Sequence, residues 1–120
     1  MGRYSLSKKH ILTSSSVLDS VFSVGKKLTH STCSLYYLKQ DSIEDLRVAF
    51  SVGKKTHKLA VNRNKIKRLM REAFRLNIPE FNIGAHDLVF VFFGQDIPSY
   101  KEVGNSIKSL LLSLSKALES

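Results

Sequence analysis

A single cysteine among 120 residues excludes a disulfide framework within the chain. That residue, Cys33, falls in an apolar-alternating stretch, where a buried, inert thiol is expected, and the lack of bridges suits a reducing compartment. Long hydrophobic runs are also missing. The longest, Leu88 to Phe93 and Leu110 to Leu112, fall far short of the roughly 20 residues that cross a bilayer. The basic start, Met1 to His10, is followed by only Ile11 and Leu12 before Thr13-Ser14-Ser15-Ser16, which leaves no apolar core for an export signal. Leu6 stands where a myristoylation motif has a hydroxyl residue. A soluble, cytoplasmic protein is therefore expected. Repeats and low-complexity linkers are absent too, so residues 1–120 read as a single domain, long enough to bury roughly two-thirds of its unfolded surface.

The chemistry of a protein active site is equally hard to find. Asp41, Glu44 and Asp45 cluster in a turn, where solvation explains them. His30 and Cys33 lie too close together on one strand region and lack further ligands, while His10, His57 and His86 are scattered. The serines have no recognisable His and Asp partners, and no phosphate-binding glycine loop appears. No catalytic residue and no protein-held metal is expected.

What the chain has in abundance is positive charge, and in one place. Lys54, Lys55, Lys58, Arg63, Lys65, Lys67, Arg68, Arg71 and Arg75 face a single acid, Glu72, so this segment carries +8 of the net +9. Within it Ile66, Leu69, Met70, Ala73 and Phe74 recur at helical spacing, which predicts an amphipathic helix starting near Asn62 or one turn earlier and ending at Ile78-Pro79. Arg63, Lys67, Arg71 and Arg75 are successive i+4 neighbours, a self-repelling stripe that a bound polyanion would neutralise. Arginine forks bridge phosphate oxygens, and Asn64 adds a donor and an acceptor. Nucleic acid fits this pattern better than an anionic membrane, because the helix's apolar residues are needed for packing and leave none to enter lipid.

Around the helix, Val17, Leu18, Val21 and Phe22 predict a short first helix capped by Ser14 to Ser16 and ended by Gly25. A strand is expected over Thr32 to Leu38, beginning as early as Leu28, and another over Leu46 to Val52. Leu88 to Phe93 shows no alternation and reads as a strand covered on both faces, central in a sheet. Val103, Ile107, Leu110, Leu111, Leu114 and Leu118 mark a last helix. The class is α+β.

The run Arg63-Asn64-Lys65-Ile66-Lys67-Arg68-Leu69-Met70-Arg71-Glu72-Ala73-Phe74-Arg75 closely resembles the arginine-rich helix of the bacterial ribonuclease P protein subunit, and Arg47 to Lys55 resembles the strand and lysine pair before it. The third motif position is Lys65 rather than Arg, and the loop after Lys55 lacks a common Gly. The resemblance implies an αβββαβα two-layer sandwich with a left-handed βαβ crossover through the basic helix. It also implies an auxiliary subunit that helps a catalytic RNA subunit remove the 5′ leader of precursor tRNA, with magnesium bound mainly by RNA. Lys54, Lys55, Arg63, Asn64, Lys65, Lys67, Arg68 and Arg71 would contact RNA, with Arg75 continuing the stripe. Leu18, Phe22 and Tyr36 would line a cleft for the leader. Tyr36 alternates away from Cys33, Leu35 and Tyr37, so its ring is placed to stack on unpaired bases, with Lys26, Lys27 and Lys39 bracketing the groove. The alternatives are a non-enzymatic RNA-binding protein, ribosomal or assembly-related, and a DNA-binding helix. The second requires another helix just before the basic one, where the alternation of Leu46 to Val52 predicts a strand, so no DNA partner is expected.

Overall fold

The computed structural model describes residues 10–119. The basic stretch Met1 to Lys9, read above as carrying no export signal, lies outside them. Ser14 Oγ accepts the Val17 N–H at 3.5 Å and starts helix α1, Ser15–Val24. The helix stops at Gly25, where a Cβ would sit 2.5 Å from the Val21 carbonyl oxygen and 2.7 Å from that of Tyr37, so only glycine fits this turn into the sheet.

Strands β1 (Lys26–His30) and β2 (Cys33–Lys39) then pair antiparallel around Ser31-Thr32. The strand expected over Thr32 to Leu38, with a start as early as Leu28, is thus two strands of a hairpin, which gives the αβββαβα order that the resemblance implies. Ser31 takes φ of 56°, the positive value that the first position of a tight hairpin turn uses. Strand β3 (Arg47–Val52), helix α2 (Ala60–Asn77), a 3-10 turn at Ile78–Glu80, strand β4 (His86–Phe92) and helix α3 (Tyr100–Glu119) follow. The sheet order is β1-β2-β4-β3, with β4 antiparallel to β2 and parallel to β3, so the basic helix α2 is the crossover between two parallel neighbours. The fold is α+β, as expected.

Helices α2 and α3 cover one face of the sheet. Ile66, Met70, Ala73 and Phe74 of α2, with Val103, Ile107, Leu110, Leu111 and Leu114 of α3, bury Leu35, Val48, Leu88, Phe90 and Phe92. Phe50, Phe74 and Phe90 meet with centroids 5.5 to 5.9 Å apart. Cys33 belongs to this core, and burial pushes its thiol up to about 11 despite a hydrogen bond with Ser106, which makes it inert. On the other face Leu12, Val21 and Val89 form a smaller core beneath α1. Leu118, assigned above to the apolar face of the last helix, lies exposed near its end.

One buried charge pins the strands. Asp87 on β4 is fully buried and accepts from Arg47 Nε at 2.7 Å and Nη2 at 2.9 Å, and from Gln40 Nε2 at 2.8 Å. These bonds tie β4 to β3 and to the residue that follows β2. Arg47→Ala would strand a buried carboxylate and is expected to lower the unfolding free energy by about 3 kcal/mol, measured by urea denaturation. A loss below about 1 kcal/mol would show the pair to be dispensable.

Helix α3 begins with a reciprocal cap: Glu102 accepts the Ser99 N–H at 2.9 Å, and Ser99 Oγ accepts the Glu102 N–H at 3.1 Å. The bonds from Ser99 hold the Glu102 carboxyl below its usual 4.5. A lowered acid stabilises the fold fully above its unfolded pKa, and that contribution disappears as pH falls through the folded value. Glu102→Gln should therefore flatten the acid limb of thermal midpoint against pH; an unchanged limb would count against the cap.

Candidate RNA interface

The period of α2 sorts its side chains. Ile66, Met70, Ala73 and Phe74 are buried, while Asn64, Lys65, Arg68 and Arg71 are exposed on the other side and Lys67 lies half-buried between. Asn64, Lys67, Arg68 and Arg71 together line a shallow depression of about 220 Å³ with no acid in its wall. Their spacing, i, i+3, i+4 and i+7, is the reason two turns of helix can converge four polar heads on one anion-sized space. Asn62, near which a start was expected, lies within the helix; Leu59 precedes the first turn and makes no side-chain cap.

The two ends of the predicted stripe are engaged locally. Arg63 Nη1 donates to the carbonyls of His57 at 2.9 Å and Lys58 at 2.8 Å, tying the preceding loop to the helix. Arg75 pairs with Glu72 through Nε at 3.0 Å and through Nη2, which draws the Glu72 carboxyl below its ordinary value. The self-repulsion expected of the row is thus relieved at both ends. Lys54 and Lys55 are exposed on the loop that Arg63 holds. His57, which the sequence reading left unassigned, is buried in that loop. Its N–H donates to the Gly53 carbonyl at 3.1 Å, and its ring Nε2 donates to the Gly94 carbonyl at 2.8 Å. Leu59 and Val61 are 63% and 69% exposed beside these charges, correcting the expectation that packing leaves no free apolar side chain there.

The opposite face of the sheet carries the aromatic site. Tyr36 projects away from the larger core, as its alternation requires, and meets Phe22 edge-on with centroids 4.8 Å apart. Phe22 is 42% exposed and lies outside the cores, and Leu18 is half-buried and packs in the smaller core; of the three expected cleft residues only Tyr36 lines the cavity beside it. Lys27 Nζ lies 5.4 Å from the centre of the Tyr36 ring. Lys27, Thr29, Ser34, Tyr36, Val91 and Phe93 line a cavity of about 320 Å³. Of the three bracketing lysines only Lys27 takes part. Lys26 pairs with Tyr37 and Lys39 with His86, so alternation sends both to the other face. Thr29, Ser34, Val91 and Phe93 were not foreseen, although the two-residue period from Lys27, Tyr36 and Val89 was their signal.

Among the described residues no group of three or more His, Cys, Asp and Glu is placed to hold a metal ion. Asp87 is committed to Arg47, Asp45 to His10 at 3.1 Å and Glu72 to Arg75, and burial keeps the His86 pKa low. No helix among the described residues is long and apolar enough to cross a membrane.

A sequence model described as Ribonuclease P matches residues 6–115. The chain belongs to the ribonuclease P protein family. The Ribonuclease P protein component of Clostridioides difficile is 37% identical, over 76% of this chain and 79% of that protein. That of Chlorobaculum tepidum is 33% identical, over 91% and 82%. The RNase P protein of Staphylococcus aureus superposes with a TM-score of 0.74 at 25% identity, covering 89% of this chain and 95% of that one. As a ribonuclease P protein component, the chain takes part in tRNA processing, and a strand, not a helix, leads into its basic helix.

Arg68 and Arg63 are expected to differ in how they act. Arg68→Ala should reduce the slope of log affinity against log salt for RNA by about one phosphate contact, 0.7 to 0.9 units. Arg63→Ala should reduce it by more, because the loop bearing Lys54 and Lys55 is released with it. Arg75→Ala should change it least, since Glu72 already neutralises that cation. Equal slopes for all three variants would contradict this division.

Proposed function

We propose that this ribonuclease P protein binds the enzyme's RNA subunit through α2 and the loop before it, and the 5′ leader of precursor tRNA through the aromatic cleft. The catalytic centre lies in the RNA. The observation that carries this reading is the pairing of two surfaces on opposite sides of one sheet. One is a cationic depression without acids, suited to phosphate, and the other is an open aromatic groove, suited to unpaired bases.

Each side chain has a task under this reading. Lys54, Lys55, Asn64, Lys65, Lys67, Arg68 and Arg71 neutralise and orient RNA phosphates, with arginine forks giving direction and lysines giving charge. Lys65 supplies the charge of the usual third arginine without its bidentate geometry. Arg63 ties the loop to the helix, and Arg75 offsets the one acid of the segment, Glu72. Phe22 and Tyr36 offer ring edges and faces to leader bases, and Lys27 places a cation beside the strand they hold. Magnesium would supply the Lewis acid and the activated water for phosphodiester hydrolysis, and we assign it to the RNA, since among the described residues no group of three or more His, Cys, Asp and Glu is placed to hold it. Basic side chains at the RNA surface replace screening cations, so the protein matters most where magnesium is scarce.

Cleavage of precursor tRNA by the cognate RNA subunit should be stimulated by the protein at low magnesium; absence of stimulation would overturn the reading. Tyr36→Ala should weaken binding of precursor by about tenfold, the equivalent of one lost stack, with mature tRNA unaffected because it has no leader. Equal losses for both RNAs would remove the cleft from leader recognition.

A further inference from the structure

Phe93 directly follows the buried Phe92, yet it is 47% exposed. Its mount is rigid. The Phe93 N–H donates to the Thr32 carbonyl at 2.9 Å, and the carbonyl of the next residue, Gly94, accepts from His57 Nε2 at 2.8 Å. A Cβ on Gly94 would lie 2.7 Å from the Phe92 ring and 3.0 Å from the Thr32 side chain, so the backbone packs too closely there for any other residue. A large ring on so fixed a base, half open and belonging to neither core, is built to meet something outside the protein.

Its neighbours indicate what. Phe93 lines the same cavity as Tyr36, together with Lys27, Thr29, Ser34 and Val91, and no acid stands in the wall. Tyr36 pairs with Val89 and Ser34 with Val91, so Phe93 lies four residues along β4 from the partner of Tyr36, about 13 Å at strand spacing. Stacked nucleotides rise only about 3.4 Å, so the two rings do not serve adjacent stacked bases. They suit bases splayed from an unpaired strand with at least one nucleotide between them. Over that interval lies the Thr29 hydroxyl, 3.1 Å from that of Ser34, with the Lys27 ammonium beside the Tyr36 ring at its start, groups that take sugar and phosphate.

We infer that Phe93 is a second base-stacking platform for the precursor's leader, beyond the one at Tyr36. This rests on the leader-cleft reading and deepens it: the cleft grips a run of unpaired leader nucleotides that reaches the end of β4, and its affinity grows with leader length in two increments.

The test uses the protein reconstituted with its RNA subunit and a series of precursor tRNAs whose leaders lengthen one nucleotide at a time. Wild-type affinity rises in two increments, one abolished by Tyr36→Ala and the other by Phe93→Ala. Each is worth roughly five- to hundredfold. Phe93→Trp restores the second increment and Phe93→Leu does not, a difference that a purely structural role would not produce. If Phe93→Ala matches wild type at every length while Tyr36→Ala loses its increment, Phe93 is no platform and the leader cleft stands. If neither variant alters the length dependence, both fall. A Phe93→Ala loss that is the same for mature tRNA also overturns the inference.

Discussion

A strand that is apolar on both faces needs cover on both sides, and His86–Phe92 is such a strand. Leu88, Phe90 and Phe92 point to α2 and α3, while Val89 points to α1 and Leu12. Burying one face takes two long helices; the other is only partly closed by a ten-residue one. The sheet beyond the reach of α1 stays open, and the cavity at Tyr36 and Phe93 is that unclosed remainder. The groove is therefore a consequence of how unequally the central strand is covered. Asp87, bonded to Arg47 of β3 on one side and to Gln40 after β2 on the other, fixes the strand's register, where slippage by one residue would exchange the two faces.

The concentration of charge on α2 sets the second constraint. Six of the nine basic residues between Lys54 and Arg75 lie in α2 and oppose helix formation through like-charge contacts, each costing a few tenths of a kcal/mol. The buried stripe of Ile66, Met70, Ala73 and Phe74 outweighs that cost, since each large side chain contributes about 1.5 to 3 kcal/mol. Local bonds remove part of the repulsion, with Glu72 answering Arg75 and two carbonyls answering Arg63. What stays unanswered among the described polar heads of the depression is Asn64, Lys67, Arg68 and Arg71, which is where an anion finds the most favourable field.

Periodicity made part of this legible. Helical spacing separates the buried stripe of α2 from its charges, and strand alternation puts Tyr36 on the open face, because both follow from backbone geometry alone. Three features escaped it for physical reasons. The first hairpin turns on Ser31 at positive φ, with none of the Gly or Asn that announces such a turn, and its strand is mostly exposed polar residues. Arg63 looks like any motif arginine until folding brings the carbonyls of His57 and Lys58 under its guanidinium. Phe93 sits in an unbroken apolar run, where sequence has no means of telling a residue inside the strand from one just past its end.

His57 joins the two constraints. Its backbone carbonyl accepts from Arg63, its N–H closes the loop of Lys54 and Lys55 on Gly53, and its ring holds the Gly94 carbonyl at the end of β4. The cationic loop and the aromatic cleft lie on different faces of the sheet, yet this one buried side chain bonds the base of the first to the mount of the second. On the proposed reading, in which one surface holds a folded RNA and the other an unpaired strand, a constant separation needs a stiff connection of this kind. Flexible tethering would let each surface bind independently and would lose the effective concentration that a fixed geometry provides. The sheet, with β4 near its centre, is the spacer between the surfaces, and His57 is the brace that bonds the loop of one to the end of β4.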